Sequence, residues 1–153
     1  MKQKNKGFSL LELMLVLALS SVLMGIAGVT FAKQRKSGTL NRSVQALGQE
    51  IKFVRSKAIS SGTSWRLNLN SSSSYSTELL DSNTGQWTLK RTKNLPNGIT
   101  IPIDSIGFLE FNTRGYMNLN PPTLAISLTN SEASKCIVPS MAGSIAIVDC
   151  ESE

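Results

Sequence analysis

Few places in this chain could do chemistry. One carboxylate, Glu12, stands at the edge of twenty residues, Leu13 to Ala32, that carry no charge, and two cysteines, Cys136 and Cys150, stand toward the other end. There is no histidine, so Ser-His-Asp and Cys-His arrangements cannot be built and the usual ligand sets for zinc or copper are missing. No Gly-rich phosphate loop appears. Asp104 and Glu110 could serve as paired glycosidase carboxylates, but a turn is expected between them and no second lobe is available to form a cleft. The sequence therefore predicts no enzyme, no metal and no cofactor. What remains is ionic and thiol chemistry. A carboxylate within a membrane costs roughly 2.5 to 3.5 kcal/mol on insertion scales, so Glu12 requires a partner.

The segment that positions Glu12 is about as long as a helix needs to cross the hydrocarbon core of a bilayer. Lys2, Lys4 and Lys6 precede it, which favours a cytoplasmic N-terminus by the positive-inside rule. Lys33, Arg35 and Lys36 follow it and reduce that asymmetry. A cleaved secretory signal would have a shorter apolar core. The stretch "GIAGVTFA" imitates a signal cleavage site, yet the run before it is too long and Glu12 is out of place at its start.

The stretch "KGFSLLEL", Lys6 to Leu13, resembles the cleavage motif of type IV prepilins and pseudopilins, in which a short basic leader ends in Gly, Phe follows, and an acid comes four places later. The resemblance implies that prepilin peptidase cuts after Gly7 and methylates the new amino group of Phe8. It also implies that the apolar helix is kept in the mature protein. Glu12 would then pair with the charged amino group of Phe8 on a neighbouring subunit, so that two groups costly alone in lipid become tolerable together. The competing reading is an acid at the membrane edge that reaches up to the headgroups.

Beyond this segment, Leu40, Val44, Leu47, Ile51, Val54 and Ala58 recur at steps of three and four, the period of a helix with one buried stripe. Gly62 is the expected stop, and Gly25, Gly28 and Gly38 are possible weak points along the helix. From Lys33 to Lys57 there are seven basic residues and one acid, Glu50. This basic face could bind nucleic acid or anionic headgroups; a solvated face just outside a bilayer accounts for it more simply, since aromatic residues are not interleaved with the charges in the way that single-strand binding platforms require.

After Gly62, short runs with turn signals between them ("SWRLNL", "YSTELL", "QWTLKR", "ITIPI", "IGFLEFN", "TLAISLT", "GSIAIVDC") predict an antiparallel sheet that covers the helix stripe. The residues "DSNTG" suit a hairpin, Ser71 to Ser74 a polar loop tip, and "NPP" at Asn120 to Pro122 a break. Trp65, Trp87, Phe108 and Phe111 are expected as core and cross-strand aromatics. Six basic residues face eight acids from Ala58 onward, so this part is not a basic domain. With no other thiols in an exported head, Cys136 and Cys150 are expected to form one structural disulfide.

The runs "FVRSKAISSGTSWRLNL", "IGFLEFNTRGYMNL" and "GSIAIVDC" resemble the FimT-like and type II secretion protein H group of the pilin superfamily, with Arg55, Ala58, Phe111 and Gly115 matching. The resemblance implies an α+β pilin-like fold. It divides the chain into a leader (1–7), a transmembrane and assembly helix (8–32), an amphipathic stalk helix (33–62) and a β-rich head (63–153) closed by a C-terminal disulfide loop. It further implies a non-catalytic minor pilin or pseudopilin with a priming role at the tip of a type IV pilus or type II secretion pseudopilus. Its location would be the bacterial inner membrane, single-pass with a periplasmic head, and then the filament. Its partners would be other pilin or pseudopilin subunits, prepilin peptidase, the inner-membrane assembly platform and the membrane itself. The alternative is a DNA-binding minor pilin of a DNA-uptake pilus. Some FimT-like members bind DNA through a Gly-Arg-x-Arg segment, where this chain reads Gly143, Ser144, Ile145, Ala146, so nucleic acid is the less favoured partner.

Overall fold

The computed structural model describes residues 8–120, 126–140 and 142–150, and the side chains of all of these but residues 26–30. The leader with Gly7, and the Pro121–Pro122 break, lie outside the described residues. One long helix, α1 (Leu10–Ser61), is followed by eight strands: β1 (Trp65–Leu69), β2 (Ser74–Leu80), β3 (Trp87–Asn94), β4 (Gly107–Phe111), β5 (Met117–Asn120), β6 (Ile126–Thr129), β7 (Ser134–Pro139) and β8 (Ile145–Asp149). The chain divides into two compact units, Met1–Arg35 and Lys36–Glu153.

In the first unit the helix opens where the Ser9 carbonyl accepts the amides of Glu12 (3.1 Å) and Leu13 (3.2 Å). Its described apolar side chains are exposed on every side, from Phe8 at 82% to Met24 at 75%. Polar groups here turn back on the helix: Ser20 Oγ donates to the Val16 carbonyl (2.8 Å) and Ser21 Oγ to that of Ala18 (2.8 Å), which leaves the surface apolar. Among the described residues no helix is long and apolar enough to cross a membrane. Residues 26–30, whose side chains are outside that set, fall within the uncharged run read from the sequence.

In the second unit the stripe forms as its period requires. Leu40, Val44, Leu47, Ile51, Val54 and Ala58 are all 1% exposed or less and share one core with Leu67, Leu69, Leu109, Phe111, Ile126, Leu128 and Ile137. Each such aliphatic side chain contributes roughly 1.5 to 3 kcal/mol by leaving water. The helix stops at Gly62, whose φ is +64°, a conformation that costs glycine little.

The strands form two antiparallel sheets, not the one expected: β3-β2-β1-β4-β5 and β6-β7-β8. The split has a local cause. The run "ITIPI" buries Ile99 and Ile101 but does not form a strand, because Pro102 has no amide to donate and leads into a 3-10 turn at Ile103–Ser105. A single bridge, Thr100 to Thr129, links this connection to the second sheet. Strands β5 and β7 carry weak strand patterns, since "MNLN" is short and "SKCIVP" begins polar and ends in proline.

The aromatics divide by face. Phe111 is in the core with Trp65 opposite it across β1 and β4, as expected. Trp87 and Phe108 instead flank Arg66 on the outer face of the first sheet, with the guanidinium 4.3 Å and 5.2 Å from their ring centroids, and Glu78 pairs with the same guanidinium.

Cys136 on β7 and Cys150 just beyond β8 are joined in a disulfide, with Cα atoms 5.1 Å apart. It ties down the end of β8, an edge strand whose Ile147 and Val148 are more than 40% exposed. Replacing both cysteines with serine is expected to lower head stability by about 3 kcal/mol in a urea titration. Amide exchange should rise in β7 and β8 before it rises between Leu40 and Ala58.

Candidate functional site

Glu12 lies in the first turn of α1, where a carboxylate is favoured by the helix dipole and by unsatisfied amides. Among the described residues of its own chain it has no ion-pair partner. Phe8, whose amino group was expected to supply that partner on another subunit, is 82% exposed. Phe8 and Glu12 thus stand four residues apart, at the start of an apolar helical surface. A helix apolar on all sides finds its partners in lipid or in other helices.

In the head, the matched residues Arg55, Ala58, Phe111 and Gly115 form one physical unit. Ala58 and Phe111 are fully buried in the core. Arg55 Nε donates to the Gly115 carbonyl at 3.0 Å, which secures the β4–β5 turn to the helix. That turn is closed by Asn112, whose Oδ1 accepts the amides of Arg114 and Tyr116 at 3.0 Å each. Gly115 has a φ of +77°, and a Cβ there would stand 2.7 Å from Ile59 Cδ1, so both conformation and space call for glycine. The β7–β8 turn approaches the same arginine: a Cβ on Gly143 would stand 2.6 Å from Arg55 Cδ. The segment that was compared with a DNA-contacting motif is thus packed against Arg55.

A second turn fastens the helix near its entry to the head. Asn130 Oδ1 accepts the amides of Glu132 (2.8 Å) and Ala133 (2.9 Å), and its Nδ2 donates to the Lys36 carbonyl at 3.0 Å. Lys36 Nζ in turn donates to Ser131 Oγ and pairs with Glu132, both at 3.1 Å.

A group around Glu50, which no sequence motif marks, joins the helix to β3. This acid is 4% exposed on α1, pairs with Lys93 of β3, and lies 3.8 Å from Arg91. Its Oε1 has no hydrogen-bond partner. Burying a carboxylate is tolerable only with such a cation. Tyr75 of β2, 4% exposed, lies beside this group, and burial, followed by the Glu50 charge, pushes its phenol up to about 12. A solitary acid within a basic helix, one position before the stripe residue Ile51, was the available signal. Among the described residues no group of three or more His, Cys, Asp or Glu side chains could hold a metal ion.

Gly115→Ala is expected to destabilise the head by about 1 to 3 kcal/mol through positive-φ strain and the clash with Ile59, as a lower urea midpoint. Tyr75 adds an alkaline dependence. Because its folded pKa is raised from 10.0 to about 12, its contribution is complete below pH 10 and is lost as pH rises toward 12. Tyr75→Phe should flatten that part of the stability–pH curve measured by denaturant titration.

Comparison with known proteins agrees with this geometry. Residues 2–28 match the prokaryotic N-terminal methylation motif, and residues 43–143 match type II transport protein GspH. No curated protein matches the chain by sequence. The fold is similar to the minor pseudopilin EpsH from the type 2 secretion system of Vibrio cholerae, at 13% identity and a TM-score of 0.56 over 72% of this chain and 96% of that one. It is also similar to the type IV minor pilin FimU of Pseudomonas aeruginosa, at 18% identity and a TM-score of 0.58 over 73% of this chain and 90% of that one. A methylation motif at the head of an apolar helix, and a GspH match that spans the Arg55–Gly115 unit, the first sheet and β6 and β7 of the second, place the chain in the GspH family of pilin-like proteins.

Proposed function

We propose that this chain is a non-catalytic minor pilin or pseudopilin subunit, matured by prepilin peptidase and built into a filament through its N-terminal helix. The observation that carries this reading is the contrast between the two parts of α1. The stretch from Leu40 to Ala58 has its apolar stripe covered by its own sheets, whereas the described apolar residues from Phe8 to Phe31 are uncovered on all sides. A single chain cannot satisfy such a surface in water. Bilayer lipid before assembly and neighbouring helices after it supply the missing contacts.

In this reading the segment 8–32 passes once through the inner membrane, with the leader in the cytoplasm and the head in the periplasm. Cleavage after Gly7 creates the amino group of Phe8, which is then methylated. As the assembly platform draws the subunit out of the bilayer, Glu12 pairs with the Phe8 amino group of an adjacent subunit and sets the axial register. The disulfide suits an oxidising compartment. A priming position at the tip fits a subunit of this kind; pilus and secretion pseudopilus place the same demands on it. No observation favours the DNA-binding alternative: β8 carries no basic residue, and Arg55 is engaged with the Gly115 turn.

Gly7→Ala should leave full-length precursor in cells that carry the peptidase, visible as a larger band and an intact Met1 by mass spectrometry. Glu12→Leu should be processed normally yet enter sheared filaments poorly. Normal processing of the Gly7 variant, or normal incorporation of the Glu12 variant, would count against this assignment.

A further inference from the structure

Beside the Glu50 group lies an open cavity of about 480 Å³, walled by Arg42 and Ala46 of α1, Tyr75 of β2, and Lys93, Asn94 and Leu95 at the end of β3. Neither the sequence motifs nor the assembly helix account for it. We propose that this cavity receives the carboxylate of an acidic side chain from an adjoining pilin-like subunit, held by the guanidinium of Arg42 and the hydroxyl of Tyr75.

Three features support this. Lys93 is already committed to Glu50, so its charge is largely cancelled. Arg42 has no ion-pair or hydrogen-bond partner among the described residues and is exposed, which leaves the cavity with one uncompensated cation whose planar fork suits a carboxylate. Tyr75 is 96% buried, at 4% exposure, and its hydroxyl meets no hydrogen-bond partner among the described residues. Glu50 Oε1 is the one unsatisfied side-chain oxygen found fully sealed there. The phenol oxygen is therefore not fully sealed, and Tyr75 lines the cavity. A buried donor without an acceptor is costly, and an incoming anion removes that cost. Burial keeps the phenol protonated well above neutral pH, so it donates to the anion.

The size of the site and the number of its charges select among anions. A nucleic-acid backbone requires a track of cations, whereas here a single free guanidinium is set beside the apolar surfaces of Ala46 and Leu95. That combination suits one acidic side chain with its methylenes. The identity of the occupant as a subunit rests on the filament assignment; the pocket does not.

Two measurements separate these parts. The full chain in detergent micelles, titrated with N-acetyl-glutamate α-methylamide and followed by NMR, should show saturable shifts at Arg42 and around Tyr75, with N-acetyl-glutamine α-methylamide, which carries no carboxylate, inert and inorganic phosphate weaker. Arg42→Gln and Tyr75→Phe should each weaken the response about tenfold. Equal binding of the glutamine α-methylamide or of phosphate, or unchanged affinity in both variants, overturns the pocket. In cells, a photo-crosslinking residue at the exposed position Ala46 should capture a pilin-like subunit next to one of its acids. The crosslink should disappear in Arg42→Glu and return when that acid is replaced by lysine. Crosslinks to lipid or nucleic acid, to a site remote from any acid, or insensitive to Arg42→Glu overturn the occupant. Leader processing, which reports on the assembly helix, is unaffected in every case.

Discussion

The stripe of Leu40, Val44, Leu47, Ile51, Val54 and Ala58 loses contact with water in one core shared with strands of both sheets, and the rest of the head is arranged around that burial. One helix face serves as the common floor for two sheets that do not pair with each other among the described residues, the bridge from Thr100 to Thr129 joining only the β3–β4 connection to the second sheet. The sheets therefore meet chiefly through the helix. Turns from both complete the attachment, with Asn130 at Lys36 and the β4–β5 and β7–β8 turns at Arg55. A head organised this way does not need a large core of its own, which suits a small domain whose sheets could not each be stable alone.

The charge distribution follows from the same arrangement. Cations on the helix remain solvated except where the sheets approach. There Arg55 is fixed by a carbonyl, and Glu50 is held by the two cations of β3. On the far face of the first sheet, Arg66 lies between Trp87 and Phe108 and is neutralised by Glu78. Glu50, Arg55 and Arg66 thus each have an identifiable compensating group, whereas at the cavity the exposed Arg42 and the buried Tyr75 are left with capacity to spare.

How much of this could be read in the sequence depended on distance along the chain. The stripe, its stop at Gly62 and the "DSNTG" hairpin are local patterns, with periods or turn residues that a window of a dozen positions contains. The leader motif and Glu12 were legible because an acid beside an uncharged run is rare and costly. The division into two sheets depended on one missing amide at Pro102, embedded in a run whose isoleucines looked like a strand. The partners of Glu50 were illegible because they come from β3, about forty residues later, and the sequence could not show which helix position that strand would face. The roles of Arg55 and Gly115 were known only as a matched pattern until the hydrogen bond between them gave it a cause.

The glycines of the head differ sharply in the room around them. Gly115 and Gly143 are hemmed in by Ile59 and Arg55, while nothing lies within 4 Å of a Cβ built on Gly85 in the β2–β3 loop. That loop links an edge strand to its neighbour and faces solvent from Ser82 to Gln86. Extra residues there would displace neither helix nor core. It is the natural place to graft an epitope or fluorophore for following the subunit inside an assembling machine, whereas the same graft at either crowded corner would pry the sheets from their floor.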